Sequence, residues 1–126
     1  MTGSGRSAAA LTAVPYDPEL AEGARNAVFT CLAVRREERC VLITDESRLS
    51  IGAALAEQFA AASEHFTAFV LDDVAPRPLR GFPAEIAAAM EDAQVTCYAA
   101  SAWRGELPAR MEMTAIVDRR RIRHAH

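Results

Sequence analysis

The sequence contains no lysine, because all fourteen basic residues are arginine. This absence excludes mechanisms that depend on a catalytic lysine, such as Schiff-base chemistry or a nucleotide-binding P-loop. The three cysteines, Cys31, Cys40 and Cys97, are widely spaced and form no Cys-x-x-Cys pair. Neither a zinc ribbon nor a thioredoxin-like site can be drawn, and we expect the cysteines to be small buried apolar residues in a reduced cytoplasm.

Long apolar runs are also missing. None approaches the roughly 18 residues of a membrane-spanning segment, and residues 1–14 lack the apolar centre of a signal peptide. Aromatic residues make up only 6% of the chain, which argues against an aromatic-rich β-sandwich. Hydrophobic residues nevertheless account for 51% of the 126 residues, and the formal net charge is −3. These values predict one cytoplasmic domain with a packed core and no membrane contact.

The chain divides into a short N-terminal segment and one domain. Residues 1–14 are small and polar, so they are predicted to be a flexible N-terminal segment. Residues 15–126 are predicted to form a single α/β domain. Its first helix is expected to follow Asp17, a good N-cap, and Pro18, which suits the first helical position, and to run to about Val34.

Strand and helix signals alternate through the rest of the chain. Continuous apolar runs rich in β-branched residues predict strands buried on both faces, at residues 40–44, 66–71 and 95–100. Apolar residues at helical spacing predict helices between them, from about residue 49 to 63 and from residue 83 to 93.

Residues 106–126 allow two assignments. Residues 106–120 fit a helix opened by Pro108, and residues 113–117 could also be a strand. The helix is preferred, because residues 122–126 then become a fourth strand in a regular alternation. This order predicts an open, doubly wound α/β fold, Rossmann-like or flavodoxin-like, with about four mostly parallel strands and flanking helices.

Candidate site residues follow the predicted strands. Ligands of open parallel sheets bind at the carboxyl ends of the strands, which makes Asp45, Trp103 and Arg104 the candidate substrate contacts. The alternative for Asp45 is a helix cap, which is the commoner use of this residue type. The turn at residues 44–48 contains no glycine, so a dinucleotide fingerprint is absent. Gly52 is expected to allow a close approach of helix and sheet.

Two further features are candidate binding sites. His124 and His126 alternate along the last predicted strand, so they could hold a metal on one face, but two histidines do not fill a zinc shell. They are therefore predicted to be ordinary strand residues, and no cofactor is expected in this chain. Residues 119–123 carry four arginines without interleaved aromatic residues, and residues 1–118 have ten bases against seventeen acids, a balance of −7. No nucleic-acid binding is predicted.

Seven short segments occur in a suggestive order between residues 17 and 126. They are Ala24-Arg25-Asn26, Cys31-Leu32-Ala33-Val34, Val41-Leu42-Ile43-Thr44-Asp45-Glu46, Pro76-Arg77-Pro78-Leu79, Glu85-Ile86-Ala87, Tyr98-Ala99-Ala100-Ser101 and Arg123-His124-Ala125-His126. Together they resemble the N-terminal region of bacterial proteins related to aminopeptidase T, a thermophilic metallo-aminopeptidase family.

The resemblance implies a domain that forms one wall of a substrate cleft and takes part in dimer contacts. In that family the Glu, His, Tyr and Asp ligands of a dinuclear metal centre, zinc or cobalt, lie in a later region. No position of this sequence matches one of them. By resemblance, the chain therefore lacks its catalytic C-terminal domain and has no catalytic residues, and a peptide substrate belongs to the full-length protein.

Two alternatives do not depend on the resemblance. The chain could be a stand-alone binding or interaction protein, in which a partner or a second copy of the chain covers the exposed edge of the sheet. It could also be a regulatory domain that binds a small ligand through the loops at the carboxyl ends of the strands.

Overall fold

A computed structural model describes residues 7–126, so the prediction that residues 1–6 are flexible lies outside the described residues. Four strands form one all-parallel sheet in the order β2-β1-β3-β4. Their bounds are β1 Arg39–Thr44, β2 His65–Val70, β3 Val95–Ala99 and β4 Arg123–Ala125. The predicted open α/β fold is confirmed, and all four strands are parallel.

Helices flank both faces of this sheet. They are α1 Ala8–Thr12, α2 Glu19–Arg25, α3 Leu49–Ala62, α4 Leu71–Val74, α5 Ala84–Glu91 and α6 Leu107–Arg120. A π-helical segment, Asn26–Cys31, continues α2, and a 3-10 turn, Glu46–Arg48, precedes α3. The helix α6 decides between the two assignments for residues 106–120.

The sheet separates two hydrophobic cores. Along β1, Cys40 and Leu42 pack in the core under α1, α2 and α3, whereas Val41 and Ile43 pack in the core under α5 and α6. Successive side chains of a strand point to opposite faces, so a strand covered on both faces is apolar throughout. This arrangement explains the unbroken apolar run that predicted β1.

The direction of winding reverses between β1 and β3. The connection from β1 through α3 leads to β2 on one side, and the connections through α5 and α6 lead to β3 and β4 on the other. The carboxyl ends of β1 and β3 therefore flank a topological switch point, which is the usual ligand position in such folds.

Gly52 brings α3 close to the sheet, as predicted. A Cβ atom added at Gly52 would lie 2.6 Å from Oγ1 and 2.8 Å from Cβ of the buried Thr44 in β1. No side chain larger than hydrogen fits at that separation unless Thr44 moves.

The N-terminal segment differs from its prediction. Residues 8–12 form the short helix α1, which Ser7 caps by accepting a hydrogen bond from Ala10 N. Leu11 is fully buried, and α1 contacts α3 and β2. The small residues and alanines of this segment predicted a flexible chain. Alanine also favours helices, and burial of the one large apolar side chain stabilises the short helix on the core.

The cysteines divide into two groups. Cys40 and Cys97 are buried free thiols, and burial raises the pKa of each to about 11. Cys31 is exposed, contrary to the prediction. It lies in the π-helical segment, whose i→i+5 hydrogen bonds depart from the 3.6-residue period on which that prediction depended. The expected helix to residue 34 also ends there, and Ala33 follows with a positive φ of 48°.

Candidate functional site

The crevice at the switch point is filled by an arginine of the chain itself. Arg77, in the loop between α4 and α5, donates from Nη1 to Oδ2 of Asp45 at 3.1 Å. It also donates from Nε and Nη2 to the two carboxylate oxygens of Glu106, at 2.6 Å and 2.9 Å. Nη2 reaches the carbonyl oxygen of Ser101 at 3.1 Å as well. All three charged side chains are buried, so the crevice is closed by a cluster of ion pairs.

Asp45 is completely engaged within this cluster. Its Oδ1 accepts from Arg48 N at 3.0 Å and from Ser47 Oγ at 3.1 Å, and its Oδ2 accepts from Ser101 N at 2.8 Å as well as from Arg77. It is the N-cap of the 3-10 turn before α3, and it is 1% exposed. The cap alternative for Asp45 is therefore what the structure shows.

The charges of the cluster stabilise one another. Burial by itself raises the pKa of Asp45 and Glu106, but hydrogen bonds from Arg77 and from the backbone outweigh it and hold both pKa values below their usual range. Burial likewise opposes the charge of Arg77, yet the two carboxylates raise its pKa. All three groups are therefore charged at neutral pH.

The other two predicted contacts lie at the rim of the cluster. The ring of Trp103 is half-exposed and lies over Arg77, with 4.8 Å between the ring centre and the guanidinium carbon. Arg104 is exposed beside it. The structure thus brings Asp45 and Trp103 to the same guanidinium, whereas Arg104 lies outside. A substrate contact by any of the three stays a prediction.

The two C-terminal histidines lie near each other without a metal cluster. His124 Nδ1 is 2.7 Å from Oγ1 of Thr96, and the two imidazole ring centres are 5.6 Å apart. Burial, together with the neighbouring His126, lowers the pKa of His124. Within residues 7–126, no group of three or more His, Cys, Asp or Glu side chains could hold a metal ion.

A large open groove lies at the β4 side of the sheet. Its volume is about 910 Å³, and we call it the edge groove. Residues of α3, α6, β3 and β4 line it, among them Ile51, Leu55, Leu107, Met111, His124 and His126. Because β4 ends at Ala125, opposite Cys97, Tyr98 and Ala99 of β3 have no outer strand partner among the described residues.

The edge groove concentrates exposed apolar side chains. Residues 7–126 contain five large hydrophobic side chains that are exposed, and three of them, Ile51, Leu107 and Met111, line this groove with exposures of 38%, 58% and 62%. The other two, Phe29 and Trp103, lie outside it. Sequence periodicity missed the groove, because Leu107 and Met111 have the spacing of core residues.

Comparisons with known proteins identify no family for this chain. No protein-family model matches the chain, and neither curated proteins nor solved structures show a significant match. Within the described residues, no helix has the length and apolar character that crossing a membrane requires.

Proposed function

We propose that this chain is a binding domain whose edge groove takes up an extended, apolar segment of a partner polypeptide. The exposed cluster of Ile51, Leu107 and Met111 carries this proposal. Contiguous exposed apolar side chains in a groove are typical of interaction sites, whereas single exposed ones are ordinary on any surface.

The backbone beside the groove supports an extended occupant. The sheet continues past the end of β4 with Tyr98 and Ala99, whose outer side has no strand partner among the described residues. A segment lying there would continue the line of β4 and run parallel to β3. Main-chain hydrogen bonds would then supply affinity, and alternate side chains would contact the apolar walls.

A partner chain fits this position better than a second copy. All four strands between residues 7 and 126 already belong to the sheet, so a strand of a second copy could enter the groove only by leaving its own sheet. A small ligand would use the same groove, whose volume lies within the roughly 300–1,000 Å³ of ordinary ligand pockets. The experiment below distinguishes a second copy of the chain from a partner peptide.

The filled crevice at the switch point favours the edge groove over the strand-end loops. Asp45, Arg77 and Glu106 are buried in mutual contacts, so a ligand would have to break ion pairs to enter there. The edge groove offers apolar surface without that cost.

The test is a binding titration with a fluorescein-labelled peptide of alternating valine and threonine. Saturable binding is expected, together with slower amide exchange at Tyr98, since the carbonyl group of the next residue, Ala99, already faces Thr44 of β1. Met111→Glu should weaken binding by about tenfold or more, because it removes an apolar contact and adds a charge. The matched control is Phe29→Glu, whose site is similarly exposed but outside the groove, and it should bind normally.

Three results would contradict the proposal. They are an absence of saturation, equal losses in the Met111→Glu and Phe29→Glu variants, and a dimer in sedimentation that Met111→Glu dissociates. The last result would assign the groove to a second copy of the chain.

The resemblance to aminopeptidase T-like proteins stays a prediction. So do the peptide substrate, the zinc or cobalt centre, the homo-oligomer and the cytoplasmic location that were predicted.

A further inference from the structure

Two residues that line the edge groove each have a buried hydrogen-bond donor without a partner. Tyr98 is 7% exposed, and its hydroxyl group makes no hydrogen bond within the described residues. Nη1 of Arg110 is buried and unpartnered as well. Both residues line the groove. Native proteins rarely leave such groups unsatisfied, because each costs the free energy of its lost hydration.

We infer that the edge groove binds a carboxylate of its peptide occupant, held by the guanidinium of Arg110 and the hydroxyl of Tyr98. This inference rests on the proposed function and specifies that the occupant binds through a carboxylate at its C-terminus. A carboxylate offers two acceptor oxygens, which suits the planar donor fork of arginine and leaves a lone pair for a hydroxyl.

The direction of the strands places a carboxylate at this point. Arg110 is the fourth residue of α6, and α6 begins after the carboxyl end of β3. If the bound segment is parallel to β3, as β4 is, it runs toward that same end, and its own C-terminus arrives near the first turn of α6.

Most of the charged side chains that line the groove are cationic. They are the arginines Arg48 and Arg110, with one aspartate, Asp118. Asp118 is eight residues beyond Arg110 on α6, about 12 Å along the helix axis, and does not neutralise it. The charges that act on the hydroxyl of Tyr98 include Arg77, Glu106 and Arg110, and burial raises its pKa, which keeps it a donor.

The experiment compares two forms of the valine–threonine peptide, with a free C-terminal carboxylate and with a C-terminal amide. The free acid is expected to bind about tenfold more tightly, since a charged hydrogen bond to a buried donor is lost in the amide. Arg110→Gln and Tyr98→Phe should each reduce this preference while the affinity for the amide stays the same. Arg104→Gln, a substitution of an exposed arginine outside the groove, should leave the preference intact.

Each outcome has a distinct meaning. Equal binding of acid and amide, or a preference that survives both variants, overturns the carboxylate site and leaves the proposed function standing. Failure of both peptides to bind overturns the proposed function and this inference together. Tyr98→Phe removes only an unpartnered hydroxyl, so it tests the inference even if Arg110→Gln does not fold.

Discussion

Oδ2 of Asp45 accepts a hydrogen bond from Nη1 of Arg77 at 3.1 Å, between the carboxyl ends of β1 and β3. That crevice is the usual ligand position of a doubly wound sheet. In this chain it is part of the interior, because the side chain of Arg77 fills it and Glu106 pairs with the same guanidinium. The fold therefore keeps its switch point closed, and the open surface lies at the sheet edge.

Removing the central cation should destabilise the domain strongly. Arg77→Met leaves Asp45 and Glu106 as buried carboxylates without a cation, and it is expected to lower the free energy of unfolding by about 3–5 kcal/mol at neutral pH. Equilibrium urea unfolding followed by circular dichroism measures this change. Arg104→Met, at an exposed position of the same region, should change the value by less than about 0.5 kcal/mol. Similar small losses in both variants would contradict a structural role for the cluster.

The same variant should change how stability depends on pH. In the wild type, the pKa values of Asp45 and Glu106 are held below their ordinary values of 3.8 and 4.5. Their contribution is therefore complete above the ordinary values and lost as the pH falls through the lowered ones. In Arg77→Met, burial without a cation raises both pKa values, so protonation relieves the variant. The stability deficit should narrow between pH 7 and pH 4, and a constant deficit would contradict the prediction.

Gly52→Ala should destabilise the protein although alanine favours helices. The new methyl group would lie within 2.8 Å of three atoms of Thr44, so a loss of about 1–3 kcal/mol is expected from overpacking. Gly23→Ala is the matched control, because no atom lies within 4 Å of its added Cβ, and it should stabilise the domain by about 0.5–1 kcal/mol. Adding Thr44→Ala should recover part of the Gly52→Ala loss in a double-mutant cycle, and strict additivity would contradict the contact.

The packing of α1 on the core should contribute to the stability of the domain, whereas a flexible N-terminal segment would not. Leu11→Ala should lower the free energy of unfolding by about 2–5 kcal/mol, because it removes a fully buried side chain between α1 and the core. Ala10→Ser, on the exposed face of the same short helix, should stay within about 0.5 kcal/mol of the wild type. Thermal or urea unfolding checks both, and a neutral Leu11→Ala would show that α1 is not packed in solution.

Local patterns predicted the sheet, but not the contacts between distant loops. The run of residues 40–44 indicated a strand buried on both faces, and the cap chemistry of Asp45 indicated the start of a helix. Arg77 carried no such signal, because its partners Asp45 and Glu106 are 32 and 29 residues away and meet it only when the loops after β1 and β3 converge. The one local clue is its position between two prolines, which restricts the loop.

The edge groove escaped prediction for a related reason. The spacing of Leu107 and Met111 is the spacing of a helix face that packs on a core. Whether that face is covered depends on the length of the neighbouring strand, and β4 has only three residues. Periodicity identifies an apolar face, but it does not say which molecule covers it.

The C-terminal histidines, His124 and His126, are not expected to form a metal site. Zinc or cobalt should bind this chain without tight stoichiometric saturation and should confer no aminopeptidase activity, because His124 already contacts Thr96 and the described residues supply no third donor beside His126. Isothermal titration and an aminopeptidase assay with added metal measure the two effects, and His126→Ala is the control for weak surface binding. One equivalent of zinc bound tightly in the wild type and lost in His126→Ala would instead show that the C-terminal histidines form a metal site.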